Sequence, residues 1–80
     1  MDIHEVLQGK ANKSGMPLAA LREVYKKGLG AFYTNPASPA AKGVTNAVQW
    51  GLGRVNAFIE KRPTVYTGAD NHIRIKYHLH

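Results

Sequence analysis

Arg22, Lys26 and Lys27 are cations that one helix would carry close together, Arg22 and Lys26 a single turn apart, and cations presented in that way commonly meet phosphate. They end a stretch from Leu7 to Lys27 that has the spacing of a helix-turn-helix. Ala11 lies four residues before Gly15, Met16 follows it directly, and Leu21 and Val24 come after. In such a unit Ala11 permits close helix crossing, Gly15 makes the turn, and Met16, Leu21 and Val24 hold the second helix to the core. Arg22, Lys26 and Lys27 are then offered to duplex DNA, the lysines to phosphates, whereas sequence readout needs Arg22 or a polar residue at a base edge. Lys10 and Ser14 stand where apolar or small residues are usual, and Leu18, Ala19 and Ala20 bring little base-reading chemistry. An ordinary helical hairpin with a solvated basic face is the competing reading.

Further along, Trp50, Arg54, Ala57 and Lys61 fall on one side of a third helix, almost opposite Val48 and Leu52. Arg54 and Lys61 are expected as further DNA-backbone contacts. Trp50 is a candidate to anchor a partner or stack on bases, although the favoured reading is that it covers the hairpin or the proline loop as a second, smaller core. Asn46, Gln49 and Asn56 add polar groups to the same helix.

Other chemistries find little footing. His72, His78 and His80 share one side of an alternating tail, but no Cys or carboxylate accompanies them, so no metal is expected. The carboxylates Asp2, Glu5, Glu23, Glu60 and Asp70 are scattered, without a paired-acid or Ser–His–acid pattern, so the chain is not expected to be an enzyme. Two Gly-Leu-Gly triplets, at 28–30 and 51–53, neither follow a strand nor extend to a phosphate-binding fingerprint. They read instead as close-packing points between the second and third helices, and no cofactor is expected.

The elements that must position these residues follow from punctuation and periodicity. Asp2 caps a helix over residues 2–13, with Glu5 three positions on and Ile3, Val6, Leu7 and Ala11 along one face. Gly15 ends it. Pro17 starts a second helix to about residue 33, with a stripe of Leu18, Leu21, Val24, Tyr25 and Phe32. The proline-containing stretch 34–44 reads as a loop, after which Thr45 caps a helix running to Arg62, striped by Val48, Leu52, Val55 and Ile59 with Phe58 flanking. Pro63 stops it. From His72 onward the pattern alternates, with Ile73, Ile75, Tyr77 and Leu79 on one side, which predicts a strand. Residues 64–67 would be its hairpin partner and 68–71 the turn. The expected fold is therefore mainly α: a three-helix domain over 1–63 with a helix-turn-helix-like first pair, and a C-terminal β-hairpin or added strand over 64–80. Because a lone hairpin is marginal in water, Ile73, Ile75, Tyr77 and Leu79 are expected to dock on the helices, on a partner or on a second copy of the chain.

Bulk composition agrees with a basic binding module. The 80 residues carry eleven Lys and Arg against five Asp and Glu, a formal charge of +6, while a hydrophobic content of 44% puts that charge on a folded unit rather than a solvating tail. With no cysteine to form a disulfide, a reducing compartment is expected. The start, Met1-Asp2-Ile3-His4-Glu5, is acidic at once, and no apolar run approaches a membrane span, so neither export nor a membrane partner is expected.

The motifs also carry a resemblance. Lys13-Ser14-Gly15-Met16-Pro17, then Leu21, Val24-Tyr25, Gly28 and Ala31, then Gln49-Trp50-Gly51-Leu52 and Arg54-Val55-Asn56-Ala57-Phe58-Ile59, closing on Thr67-Gly68-Ala69-Asp70, span about residues 10–71. Together they resemble an uncharacterised family of short segments in tailed-phage proteins, prominent in marine cyanophages. The chain departs from it at Ser38-Pro39-Ala40-Ala41, where the family is basic, and in its alternating tail. The resemblance implies a phage setting, in host cytoplasm or virion, and no settled activity. The residues themselves lead to a non-enzymatic, phage-type DNA-binding module; the alternative is a virion structural or assembly protein docking through its C-terminal strand. Inhibition of a host enzyme is a third possibility that the sequence does not separate from these.

Overall fold

A computed structural model describes residues 2–34, 43–44 and 46–80. Helix α1 (Ile3–Ser14) begins as its polar residues dictate: the Asp2 carboxylate accepts the His4 N–H at 2.9 Å. It ends at Gly15, whose φ of 77° is left-handed and whose N–H reaches the Ala11 carbonyl at 2.9 Å. Helix α2 (Leu18–Thr34) starts on the Pro17 carbonyl, which accepts the N–H groups of Ala20 and Leu21, and it continues through both Gly28 and Gly30. Most of the expected 34–44 loop lies outside the described residues.

Helix α3 (Ala47–Ile59) is capped by Asn46, not by Thr45, which is outside the described residues. The Asn46 Oδ1 accepts from Val48 N at 2.8 Å and Gln49 N at 3.2 Å, filling two of the helix's orphan donors. Asn46→Ala is expected to lower the unfolding free energy by about 1 kcal/mol, measurable in urea as a midpoint shift at unchanged slope. The helix stops at Ile59, short of Arg62, with Glu60 as C-cap and Lys61 at φ 57°. Its core face is also rotated from the expected stripe. Gly51, Val55 and Phe58 are buried, while Val48, Leu52 and Ile59 are only half-buried.

The tail overturns the predicted hairpin, since no strand occurs among the described residues. Thr64 to Asp70 instead forms a π-helical turn (Val65–Ala69), in which Ala69 N donates to Thr64 O and Asp70 N to Val65 O, with a kink at Gly68. A short helix, α4 (Asn71–Lys76), follows. The alternating pattern misled because Ile73 and Tyr77 are also one helical turn apart. As a helix the segment satisfies its own backbone, with Tyr77 N on Ile73 O at 3.1 Å, where an isolated hairpin leaves both edges open. Ile73 is buried, Tyr77 and Leu79 are half-buried and Ile75 is 56% exposed, so the four do not present one shared face. Nor do they offer a strand to a neighbouring sheet edge. Arg74 fixes the end by donating to Asn71 Oδ1 and to the Leu79 carbonyl.

One core joins all of these elements. Leu7 and Ala11 of α1, Leu21, Val24 and Tyr25 of α2, and Val55 and Phe58 of α3 cluster with Tyr66 and Ile73 of the tail. Phe58 and Tyr66 meet edge-on at 5.0 Å between ring centroids. The tail thus completes the core that a three-helix unit of this size leaves open.

Candidate nucleic-acid interface

Helix α2 is the central element, and burial of Ala20, Leu21, Val24, Tyr25 and Gly28 on one side fixes which side it turns outward. Ala19, Arg22, Lys26, Gly30 and Tyr33 are all exposed and lie within an arc of about 80° at 3.6 residues per turn. Arg22 and Lys26 border a shallow depression of about 190 Å³ shared with Ile3, His4 and Leu7 of α1 and with Tyr25. Among the described residues neither cation forms an ion pair.

Two of the other expected DNA contacts, Arg54 and Lys27, are engaged within the chain. Arg54 Nη2 stands 2.8 Å from Asp70 Oδ1, with Nε 3.4 Å from Oδ2, and the Asp70 side chain is fully buried. Lys27 donates to the Ala69 carbonyl at 2.9 Å and lies 4.0 Å from the same carboxylate. Lys61, past the end of α3, is exposed with its Nζ 5.8 Å from the Tyr66 ring centroid. So Arg22 and Lys26 share one surface, Lys27 and Arg54 converge on Asp70, and Lys61 sits beside Tyr66.

Glu23 is the acidic neighbour of this surface, and its charge is matched. Tyr77 donates to Glu23 Oε2, and Lys76 Nζ lies 3.1 Å from both carboxylate oxygens, tying α4 to α2. The Tyr77 hydrogen bond first, then that of Lys76, holds the Glu23 carboxyl below its usual range, while the same carboxylate raises Lys76 and Tyr77. A carboxyl lowered in this way stays ionised at neutral pH, and its contribution is lost as pH falls through the folded-state value. Glu23 therefore subtracts little from the field of Arg22 and Lys26.

Trp50 is half-buried and lines a groove of about 400 Å³ between the outer side of α3 and the π-helical turn, with Gln49, Gly53, Ala57, Arg62 and Val65. Of the expected docking residues, Ile73 is core, Tyr77 holds Glu23, Leu79 is half-buried and Ile75 alone is exposed. Sequence reasoning missed Tyr33, although eleven residues from Arg22 is close to three full turns. It also missed Asp70, which no local spacing ties to Arg54. No group of three or more His, Cys, Asp or Glu is placed to hold a metal among the described residues, and no helix among them is long and apolar enough to cross a membrane.

These features define a small helical domain whose described elements share a core and whose α2 turns Arg22 and Lys26 outward. The chain belongs to a family of unknown function, DUF5824, whose model matches residues 3–76. That agrees with the expectation of an uncharacterised short family. No curated protein and no solved structure matches it.

Proposed function

We propose that the chain is a non-enzymatic DNA-binding module that holds duplex phosphates on the outer face of α2. The observation that carries this is the pair Arg22 and Lys26, exposed, one turn apart, and outside every ion pair among the described residues, whereas Lys27, Arg54, Arg62 and Lys76 each lie within 4.0 Å of a carboxylate. An overall charge of +6 supplies long-range attraction to a polyanion. The α1–Gly15–α2 arrangement supports a helix-turn-helix-like docking, with Lys61 as an outlying phosphate contact. The motif resemblance supports a tailed-phage setting, in infected host cytoplasm or in the virion.

Affinity for a fluorescent duplex measured across salt concentrations tests the proposal. Binding is expected to fall steeply with salt, and replacing Arg22 and Lys26 together by Ala is expected to reduce the log–log slope by about two, one counterion per phosphate contact. Undetectable binding, or an unchanged slope in the double variant, overturns it.

A further inference from the structure

Gly30 and Tyr33 lie on the same outward face as Arg22 and Lys26, and neither belongs to the described core. A Cβ on Gly28 would collide with Gly51, but among the described residues a Cβ on Gly30, as on Gly9 and Gly53, would meet nothing within 4 Å. A glycine inside a helix is unfavourable relative to Ala, and no contact among the described residues requires it here. One turn along the same face, Tyr33 is 73% exposed, and its ring is held edge-on against Phe32 at 5.6 Å between centroids. The Gly30 carbonyl is occupied by the Thr34 hydroxyl at 2.8 Å.

We infer that Gly30 and Tyr33 extend the DNA-contacting face: Gly30 lets the duplex backbone approach the helix closely, and the Tyr33 hydroxyl donates a hydrogen bond to a phosphate. The inference rests on the reading of α2 given above. From Arg22 to Tyr33 the face runs about 16 Å at 1.5 Å per residue, longer than the roughly 12 Å width of the major groove. A helix lying across that groove brings Arg22 to phosphates on one rim and Tyr33 to phosphates on the other. Charge selects the occupant. The cations at one end of the face need an anion, and a row of phosphates satisfies both the cations and a phenolic donor.

Two variants separate this from the simpler reading, each titrated with the same fluorescent duplex as the native chain and melted thermally. Tyr33→Phe keeps the ring and removes only the donor. Its affinity is expected to fall about three- to tenfold, with no change in salt slope because a neutral donor displaces no counterion. Gly30→Ala is expected to raise Tm by about 4–8 °C, as a better helix former in open space, while weakening binding about tenfold. A variant that gains thermal stability and loses affinity cannot owe that loss to misfolding. Native-like affinity in either variant, beside a native chain that binds, overturns this inference and leaves Arg22 and Lys26 standing. A native chain that does not bind overturns both.

Discussion

Asp70→Ala is expected to lower the unfolding free energy by about 3–5 kcal/mol. The Asp70 side chain is fully buried, and the Arg54 guanidinium that meets it is itself only 13% exposed. Two of the guanidinium nitrogens face two carboxylate oxygens, a fork geometry that lysine cannot reproduce. Removing the carboxylate leaves a nearly desolvated cation without its counter-charge, and the cost of that stranded charge, rather than the net worth of the pair, is what the substitution measures. Lys27, 4.0 Å from Asp70 and 46% exposed, is screened by solvent, so Lys27→Ala is expected to cost less than about 1 kcal/mol. A domain of ordinary stability holds about 5–15 kcal/mol, so Asp70→Ala removes a large part of it.

Urea unfolding followed by circular dichroism gives the measurement, as a midpoint shift at constant slope. The double variant Arg54→Met with Asp70→Leu is expected to recover more than half of the loss, because neither charge then remains buried alone. A loss of under about 1 kcal/mol for Asp70→Ala shows a solvated pair and removes this account.

The same pair shows where sequence reading stops. Asp2, Gly15 and Pro17 act on neighbours within a few residues, and their chemistry sets the limits of α1 and the start of α2 directly. Asn46 stands one residue from the expected cap because Thr45 and Asn46 both carry the needed side-chain oxygen. The tail failed for a different reason. Its nine alternating residues satisfy a period of two, yet Ile73 and Tyr77 also satisfy a helical turn, and only the available core decides between them. Ile73 enters a core cluster with Phe58 and Tyr66, and that cluster exists only after α3 and the π-helical turn are in place. Arg54 and Asp70 are sixteen residues apart in the chain, so an exposed cation and a paired one look alike until the fold is known. Two of the five expected DNA contacts, Lys27 and Arg54, stand within 4.0 Å of that one carboxylate.

The paired Gly-Leu-Gly triplets were legible as packing points, but only half of each triplet serves that purpose, and the difference gives the second large effect. Gly28→Ala is expected to destabilise the domain by about 1–3 kcal/mol, the cost of overpacking a closed interface, even though Ala is the better helix former by about 0.8–1.0 kcal/mol. A Cβ on Gly28 would stand 2.9 Å from the Cα of Gly51, a backbone atom that cannot turn aside, and 3.3 Å from Arg54 Cγ. Relief requires α2 and α3 to separate, and a separation at that point also draws Arg54 away from Asp70. Gly28→Ala and Asp70→Ala are therefore expected to be non-additive, with a coupling of about 0.5 kcal/mol or more. Gly30, two residues further on, provides the internal control, since among the described residues nothing lies within 4 Å of a Cβ there. Thermal unfolding of the two glycine variants side by side is expected to move Tm in opposite directions, down for Gly28→Ala and up for Gly30→Ala. A Gly28→Ala protein as stable as the native chain means that α2 and α3 tolerate a wider spacing, and the close approach of their backbones is then not what joins the cationic face of α2 to the Arg54–Asp70 anchor.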